Sequence, residues 1–411
     1  MNPRSIALKI LEEAVAHSFI SKDLWKLTDP LDKMDRDFVR KIVYGTLRFL
    51  FAIDREVDRF LKEPRKTPRN VRNVLRLGVY EIMDTHTPAY AVVNEYTEIT
   101  PKKLKGLVNA VLRKISTSTD KIELSHSLPN WLYTMLTKDL GKDMSTFLDK
   151  SKGHELSLRA VKIERNELLD ELSSFVECYP MNYSPWGVLC KNGADLENYS
   201  FKSGDFTFQD ESSQLVGISV SPKPGEKILD ACGGVGTKTS HIVQIERNAR
   251  VFYNDVNRAK ILVAKSNFQR LALFPEKMMS FDVLKYDTEK LDAKFDKVLI
   301  DAPCTALGTL GKHPDLLLRI NKKDVEKKAE LQLQMLEKSW NVIKPHGELI
   351  YSVCTVTKAE TDDVIFDFLS RHEDAVAIDP FDEKFPFTFN GLGVQLLRYM
   401  EGFYISKIKR L

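Results

Sequence analysis

From Lys227 onward, short runs of β-branched and aliphatic residues alternate with segments of helical periodicity. Buried parallel strands have this nearly continuous apolar character, and strands separated by helices form a doubly wound parallel sheet. The alternating residues 402–408 predict a final strand that can run antiparallel to the others. The other predicted strands are 227–230, 251–253, 278–281, 297–300 and 348–351.

The first part of the chain has a different pattern. Apolar residues recur at helical spacing from 3 to about 115, with proline-containing steps at the helix ends. A Ser/Thr-rich linker covers 116–129, and the pattern is helical again from 129 to about 150. Between 156 and 208 the pattern indicates short strands. Their predicted turns lie at 179–180, 184–187 and 192–193.

We therefore predict a multi-domain protein, which a length of 411 residues allows. An all-α domain covers 1–125, a small α+β linker module covers 126–208, and an α/β Rossmann-like, doubly wound domain covers 209–411.

The charge of the chain is unevenly distributed. Residues 1–130 contain 23 Lys and Arg against 17 Asp and Glu, hence +6, whereas the remainder contains 38 against 41, hence −3. These values add to the net charge of +3. A basic module joined to a mildly acidic one indicates that the first module meets a polyanion.

The five cysteines are few, odd in number and widely spaced. This usage favours a reducing, cytoplasmic setting and argues against a disulfide scaffold. No C-x-x-C pair occurs and the histidines are scattered, so we expect no metal site. No run approaches the ~20 apolar residues of a membrane helix. We expect a monomer without a membrane partner.

A glycine-rich turn follows the first predicted strand, at Asp230–Thr239. Glycines let a backbone approach a ligand closely, and the following helix start offers free N–H groups. The spacing of Gly233, Gly234 and Gly236 does not match the dinucleotide motif G-x-G-x-x-G. Thr237 separates the last glycine from the lysine, so the loop is not a P-loop either.

Two acidic residues follow the next strands. Asp255 lies about 20 residues beyond the glycines, where a carboxylate can accept both ribose hydroxyls of a nucleoside. Asp282 follows the third strand and could meet an adenine amino group; a solvated loop acid or helix cap is the alternative for it. A ribose-binding acid without a phosphate motif favours S-adenosylmethionine over a dinucleotide.

Two cysteines, Cys304 and Cys354, follow predicted parallel strands. Chemistry in such sheets lies beyond the carboxyl ends of the strands, so the two thiols are expected at one edge and suggest sulfur nucleophile chemistry. Each cysteine alone could instead be a small packed side chain. Asp301, at the end of the same strand as Cys304, could bind a base or could merely cap the following turn.

These motifs resemble the Fmu/Sun family of RNA cytosine-5 methyltransferases. Residues 301–308 (Asp-Ala-Pro-Cys-Thr-Ala-Leu-Gly) with 313–315 (His-Pro-Asp) are similar to its Asp-Ala-Pro-Cys signature, and 351–356 with Glu360 to its second cysteine segment. Residues 209–214 are similar to its Gln-Asp-x-Ser-Ser-Gln motif. This resemblance, which covers about 129–411, implies a class I methyltransferase fold.

Residues 1–115 resemble the NusB family of helical RNA-binding proteins, on the motifs at 76–81 and 108–113. The combination with the methyltransferase resembles the bacterial members that act on small-subunit ribosomal RNA. It implies methylation of carbon-5 of a cytosine in 16S rRNA, or its small-subunit precursor, with S-adenosylmethionine as cofactor.

The resemblance also implies roles for individual residues. Cys354 would be the nucleophile that adds to carbon-6, and Cys304 would assist its release; the order of the two rests on the resemblance alone. Asp301 would support the activated ring. Cys232 matches a family cysteine, although packing alone can explain it. Cofactor contacts are implied for Ala231, Cys232, Gly233, Gly234, Val235, Gly236, Thr237, Lys238, Asp255, Lys260, Asp282 and Asp301.

The sequence departs from the family pattern in places. Residues 233–237 replace the usual Ala-Ala-Pro-Gly-Gly of the cofactor loop, although Lys238 and Thr239 are retained. Lys260 occupies a position that is usually Arg, and a lysine lacks the two-pronged hydrogen bonding of a guanidinium. Because Lys238 and Thr239 are retained, we expect the loop to bind the cofactor.

Four arginines, Arg65, Arg69, Arg72 and Arg76, are spaced to share one face of a helix or its entry. With the domain charge and the NusB resemblance, we predict that they contact RNA, although a solvated helix face would show the same spacing. The sequence leaves three further functions open for the whole protein. It could be a cytosine-5 methyltransferase acting on another RNA, a protein or DNA methyltransferase, or an RNA-binding scaffold whose cofactor loop has decayed.

Overall fold

The fold is given by a computed structural model that describes residues 2–84, 87–118, 127–153, 155–191, 203–285, 294–381 and 384–411, with the Lys22 side chain left out. The chain forms two compact units. One comprises Met1–Lys138 and Leu310–Asn321, and the other comprises Asp139–Thr309 and Lys322–Leu411.

The first unit is helical, as predicted. Its α-helices are α1 (Pro3–His17), α2 (Lys33–Arg48), α3 (Leu50–Phe60), α4 (Arg69–Asp84), α5 (Ala89–Glu98), α6 (Lys105–Ser116), α7 (Asn130–Leu140) and α13 (Leu316–Arg319). Short 3-10 turns cover Lys22–Thr28, Pro64–Lys66 and Lys102–Leu104. The apolar faces of α1 to α6 meet in one core, which includes Ile10, Ile42, Val74 and Leu112.

The short helix α13 belongs to this unit although it lies far along the chain. Leu316 and Leu317 are buried and Leu318 packs against the helical core. The Arg48 guanidinium donates to the Gly311 carbonyl at 2.8 Å. Residues 310–321 therefore complete a domain that is otherwise formed by the start of the chain.

The second unit begins with α8 (Met144–Lys150) and contains a small antiparallel sheet in the order β2-β3-β1-β4. Its elements are β1 (Leu156–Ala160), α9 (Arg165–Ser173), β2 (Cys178–Pro180), β3 (Gly187–Cys190) and β4 (Phe206–Phe208). The turn predicted at 184–187 is present, whereas Tyr179 and Pro180 lie in β2 rather than in a turn. The predicted turn at 192–193 and most of the linker lie outside the described residues.

One disulfide joins Cys178 and Cys190, whereas the cysteine usage of the sequence argued against a disulfide scaffold. The two residues face each other across β2 and β3, so their side chains lie on the same side of the sheet. Facing positions in antiparallel strands bring Cβ atoms close together, which allows this bond. The spacing of the cysteines in the sequence does not reveal the register of the strands, so the pairing could not be predicted from it.

The remaining strands form the large mixed sheet, in the order β10-β12-β9-β8-β5-β6-β7. They are β5 (Lys227–Asp230), β6 (Arg250–Asn254), β7 (Lys277–Met279), β8 (Phe295–Asp301), β9 (Ile343–Val353), β10 (Ala375–Ile378), β11 (Val394–Gln395) and β12 (Tyr404–Arg410). Strands β5 to β9 are parallel, and β12 is antiparallel to β9, as the sequence predicted.

Helices cover this sheet on both faces. They are α10 (Glu211–Val220), α11 (Thr237–Ile245), α12 (Arg258–Leu271), α14 (Lys322–Trp340) and α15 (Asp362–Arg371). The strand order reverses at β5, with β6 on one side and β8 on the other, and ligands bind at such a switch point in open α/β sheets. Within the described ranges, no helix has the length and apolar character to cross a membrane.

Candidate active site

The two cysteine loops meet beyond the carboxyl ends of β8 and β9. These strands are parallel neighbours in which Asp301 is paired with Ser352, so the residues that follow emerge side by side. The Gly308 N–H donates to the Cys354 carbonyl at 3.1 Å. The Sγ atoms of Cys304 and Cys354 lie 3.3 Å apart, which brings together the two thiols that the sequence predicted at one edge.

A buried carboxylate lies beneath the thiols. Glu360 is fully buried, and its Oε1 accepts hydrogen bonds from the Thr305 N–H at 2.9 Å and the Gln332 amide at 3.1 Å. Its Oε2 accepts from the hydroxyls of Thr305, Thr355 and Thr357 at 2.5, 3.2 and 3.0 Å. The carboxylate thus connects the residues that follow each cysteine.

A second carboxylate, Asp301, faces the cofactor side. Its Oδ2 accepts from the Lys238 ammonium at 2.7 Å and its Oδ1 from the Ser352 hydroxyl at 2.9 Å. Burial alone would lower the pKa of Lys238, but the charge and hydrogen bond of Asp301 outweigh burial, and the nearby Cys354 adds to them, so that pKa is raised. Lys238 therefore stays a cation beside Cys354.

The charged groups near the two thiols have opposite signs. The hydrogen bond with Cys354, burial, and the negative charge of Glu360 raise the pKa of Cys304 well above its usual value. Cys304 is therefore kept as a neutral thiol. On the other side, Lys238 interacts with Cys354.

The glycine turn closes tightly around aromatic rings. A Cβ on Gly233 would lie 2.4 Å from the Tyr253 ring, and one on Gly236 would lie 2.7 Å from the Phe268 ring. Gly234 has a positive φ of 56° and open space where a Cβ would point. The loop thus presents bare backbone at Gly234, as a ligand-binding turn requires.

Asp255 and its neighbour Asn254 hold this turn in place. Asp255 lies just beyond β6 and accepts the Gly234 N–H at 2.9 Å. The buried Asn254 amide donates to the carbonyls of Ala231 and Phe281 at 2.9 and 3.1 Å. It therefore links the ends of β5, β6 and β7 around the predicted cofactor site. The sequence analysis did not single out Asn254, although it directly precedes the ribose-binding candidate.

At the end of β5, Asp230 is buried and accepts the Thr239 hydroxyl at 2.6 Å. Its Oδ1 is a buried oxygen without a hydrogen-bond partner among the described residues. Burial raises the pKa of Asp230 to about 7. Asp230 therefore belongs to the buried support of the turn, and the bare backbone at Gly234 with Asp255 beside it fits a ligand that carries a ribose, as S-adenosylmethionine does.

The other predicted cofactor residues divide into two groups. Ala231, Cys232, Val235 and Thr237 belong to the turn, and burial together with Asp230 raises the pKa of Cys232, which keeps it a neutral, packed thiol. Outside the turn, Lys260 is exposed on α12. Asp282 accepts the Leu284 N–H at 3.0 Å, the turn-capping arrangement that the sequence left open for it.

The four arginines of the first unit are not equivalent. Arg65 and Arg69 are exposed. Arg72 forms ion pairs with Asp54 and Asp58, and Arg76 binds Asp54 through two hydrogen bonds of 2.8 and 2.6 Å. Helical spacing predicted the shared face but could not reveal these carboxylates on α3.

Some site residues were missed. Ser352, which orients Asp301, and Gln332, which binds Glu360, carried no motif of their own. In the sequence, Glu360 stood out only as part of the segment that resembles the family's second cysteine motif. Among the described residues, no group of three His, Cys, Asp or Glu side chains is arranged to hold a metal ion.

Comparison with known proteins is consistent across the chain. Residues 217–409 match the family described as 16S rRNA methyltransferase RsmB/F, and residues 1–117 match the NusB family. The chain is 29% identical over 440 residues to the probable ribosomal RNA small subunit methyltransferase B of Bacillus subtilis, covering 99% of this chain and 98% of the relative. The ribosomal RNA small subunit methyltransferase B of Yersinia enterocolitica is also 29% identical, with the same coverage.

Solved structures share the fold. The crystal structure of PH0851 has a TM-score of 0.81 at 22% identity and covers 100% of this chain and 99% of its own. The structure of NSun6 from Pyrococcus horikoshii with SFG has a TM-score of 0.61 at 19% identity, over 69% of this chain and 98% of its own. Both support the class I methyltransferase fold of the second unit.

The family match and the fit of the glycine turn together identify S-adenosylmethionine as the cofactor. Residues 217–409 form a methyltransferase domain that matches the RsmB/F family, and residues 1–117 form a domain that matches the NusB family.

Proposed function

We propose that this protein methylates carbon-5 of a cytosine in small-subunit ribosomal RNA through a covalent adduct between Cys354 and carbon-6. The names of the curated relatives, which match this chain end to end, support the substrate class. The finer assignment rests on one observation, the pair of thiols 3.3 Å apart at the edge of the sheet.

Carbon-5 of cytosine is too weak a nucleophile to take a methyl group unaided. Addition of a thiolate to carbon-6 moves the electrons of the 5,6 double bond into the ring and makes carbon-5 nucleophilic. Bound S-adenosylmethionine supplies an electrophilic methyl group. A base then removes the proton from carbon-5, the electrons of that C–H bond restore the 5,6 double bond, and the sulfur–carbon bond breaks with its electron pair returning to the Cys354 sulfur.

The charges around the thiols support the assignment of roles. The Lys238 ammonium interacts electrostatically with Cys354, and a nearby cation suits a nucleophilic cysteine. Cys304 stays a thiol because of its hydrogen bond to Cys354, its burial and the charge of Glu360, and we assign it the release step.

Asp301 is placed to act on the cytosine ring. Lys238 and Ser352 each bind one of its oxygens, and each carboxylate oxygen has a second lone pair. Asp301 can therefore accept a hydrogen bond from the cytosine amino group while it keeps both partners. The base must leave its stack to reach this edge, as in other base-modifying enzymes.

The test compares single substitutions of the two cysteines with 16S rRNA and S-adenosylmethionine. Cys354→Ala should lose more than 99.9% of methyl transfer and form no protein–RNA adduct, as a thousandfold loss is on the order expected for a nucleophile. Cys304→Ala should transfer methyl once and then accumulate an adduct that survives SDS gel electrophoresis. The double variant is the control and should form no adduct.

The opposite pattern, with Cys354→Ala trapping RNA, would make Cys304 the nucleophile. Bisulfite sequencing of the product should reveal a protected cytosine; methylation elsewhere would contradict the carbon-5 assignment. Calorimetric titration that detects no binding at millimolar S-adenosylmethionine would instead favour an RNA-binding scaffold.

A further inference from the structure

Glu360 is a buried carboxylate that touches no reacting atom in the proposed reaction. Its side chain is fully buried, and within the described residues no lysine, arginine or histidine forms an ion pair with it. A buried charge without a counter-ion is costly unless hydrogen bonds compensate it fully. Here five donors do so, two on Oε1 and three on Oε2.

The position of these donors in the chain is the informative point. Thr305 directly follows Cys304 and donates through both its N–H and its hydroxyl. Thr355 directly follows Cys354 and donates its hydroxyl. The Gln332 amide, on α14, donates to Glu360 and also to the carbonyl of Pro303 at 3.2 Å. Both residues that flank Cys304 are thus held.

The two loops also contact each other at this carboxylate. The hydroxyls of Thr305 and Thr355 lie 2.9 Å apart, and the Tyr351 hydroxyl donates to the main-chain carbonyl of Glu360 at 2.7 Å. The carboxylate lies at the centre of a network that includes residues from both cysteine loops and from α14.

We propose that Glu360 is a positioning residue that clamps the two cysteine loops together and so fixes the distance between the thiols of Cys304 and Cys354. The role of this distance in adduct formation and release rests on the proposed function, whereas the clamp itself does not. A carboxylate suits the position because it only accepts hydrogen bonds, and all five groups facing it donate.

The clamp can be tested on the free, full-length protein without RNA. Oxidised glutathione accepts two electrons from the thiols of Cys304 and Cys354, which lose two protons, form a disulfide and release two molecules of reduced glutathione. The equilibrium constant of this exchange is the effective molarity of the thiol pair. Mass spectrometry of peptides distinguishes the Cys304–Cys354 disulfide from the Cys178–Cys190 disulfide.

Glu360→Gln keeps the shape of the side chain but places an amide group against donors. We expect its effective molarity to fall at least tenfold and kcat for methyl transfer to fall at least tenfold, with the KM for S-adenosylmethionine within twofold of the parent. An effective molarity within twofold of the parent would overturn the proposal. A merely structural role would lower the melting temperature without this split between kcat and KM.

A matched pair of threonines keeps the test decisive if Glu360→Gln does not fold. Thr355 and Thr357 both donate a hydroxyl to the same oxygen of Glu360, but only Thr355 adjoins a cysteine. Thr355→Val should lower the effective molarity at least threefold, and Thr357→Val should change it less than twofold. Equal effects of the two would contradict the clamp.

The outcomes also separate the clamp from the proposed reaction. A reduced effective molarity in Glu360→Gln, together with methylation of a position other than carbon-5, would keep the clamp and reject the reaction. An unchanged effective molarity in Glu360→Gln, together with carbon-5 methylation of cytosine by the parent protein, would reject the clamp and keep the reaction.

Discussion

Asp301 and Glu360 are carboxylates near the same edge of the sheet, but the regions around them compensate their charge in different ways. Asp301 is partly exposed and is bound by one cation, Lys238, and one hydroxyl. Glu360 is fully buried and is bound by five neutral donors. A carboxylate that has a cation beside it and remains partly exposed can bind a substrate, whereas a carboxylate enclosed by neutral donors is suited to holding loops in position.

Among the carboxylates compared here, the largest expected effect of a substitution concerns Asp301. Asp301→Asn removes the charge that keeps Lys238 in place, and loss of an electrostatic partner in an active site costs roughly 100- to 1,000-fold in kcat. Single-turnover methylation measures this loss. The effective molarity of Cys304 and Cys354 should stay within twofold of the parent, and a large decrease would show that the two regions act as one.

Asp255 extends the comparison to the cofactor side. Its carboxylate is almost fully buried beside Gly234, and a hydrogen bond to a charged group contributes about 1.5–3 kcal/mol. Asp255→Asn should therefore weaken binding of S-adenosylmethionine roughly 10- to 100-fold by calorimetry. Asp282→Asn is the matched variant; its partly exposed carboxylate is screened by water, so a smaller effect is expected. Equal effects would give Asp282 the more important role.

Asp230 represents a third arrangement, a buried carboxylate with little compensation. Its pKa of about 7 in the folded protein, caused mainly by burial, is above the value of about 4 in an unfolded chain. Between these pH values the folded state keeps a proton that the unfolded state has lost, so stability falls as the pH rises from about 4 to 7.

Substitution of Asp230 should remove this dependence. The melting temperature of Asp230→Asn minus that of the parent should be several degrees larger at pH 8 than at pH 5, measured without cofactor. A difference that does not vary with pH would show that Asp230 titrates in its usual range.

The smallest effect is expected among the arginines of the first unit. Replacing Arg65 and Arg69 with Gln should flatten the log–log salt dependence of rRNA binding by roughly 0.7–0.9 per lost phosphate contact. Arg72→Gln serves as the comparison, because Arg72 is paired with Asp54 and Asp58. This substitution should lower the melting temperature and leave the slope of the salt dependence nearly unchanged. Equal slope changes would mean that RNA displaces the carboxylates.

Much of the fold could be predicted because buried parallel strands are visible as apolar runs. The five parallel strands, the antiparallel last strand and the helical first domain are all present. The meeting of Cys304 and Cys354 also followed from the sequence, since residues after neighbouring parallel strands emerge at one edge.

Features that depend on partners distant in the sequence could not be predicted. Asp54 is 22 residues from Arg76, and Glu360 is 55 residues from Thr305. Lys238 was expected in the cofactor loop, but its ammonium binds Asp301 on another strand. Residue type and spacing identify which side chains can donate or accept, whereas tertiary packing selects their partners.

The inclusion of Leu310–Asn321 in the helical unit has a consequence for how the protein is made. During synthesis, Met1–Lys138 leave the ribosome long before the buried Leu316 and Leu317 exist. More than half of the chain after residue 138 must therefore be synthesised before the helical domain can complete its core with residues 310–321. A gene fragment that ends after residue 138 encodes a domain with part of its apolar surface uncovered, and a fragment that begins there carries apolar residues without their core.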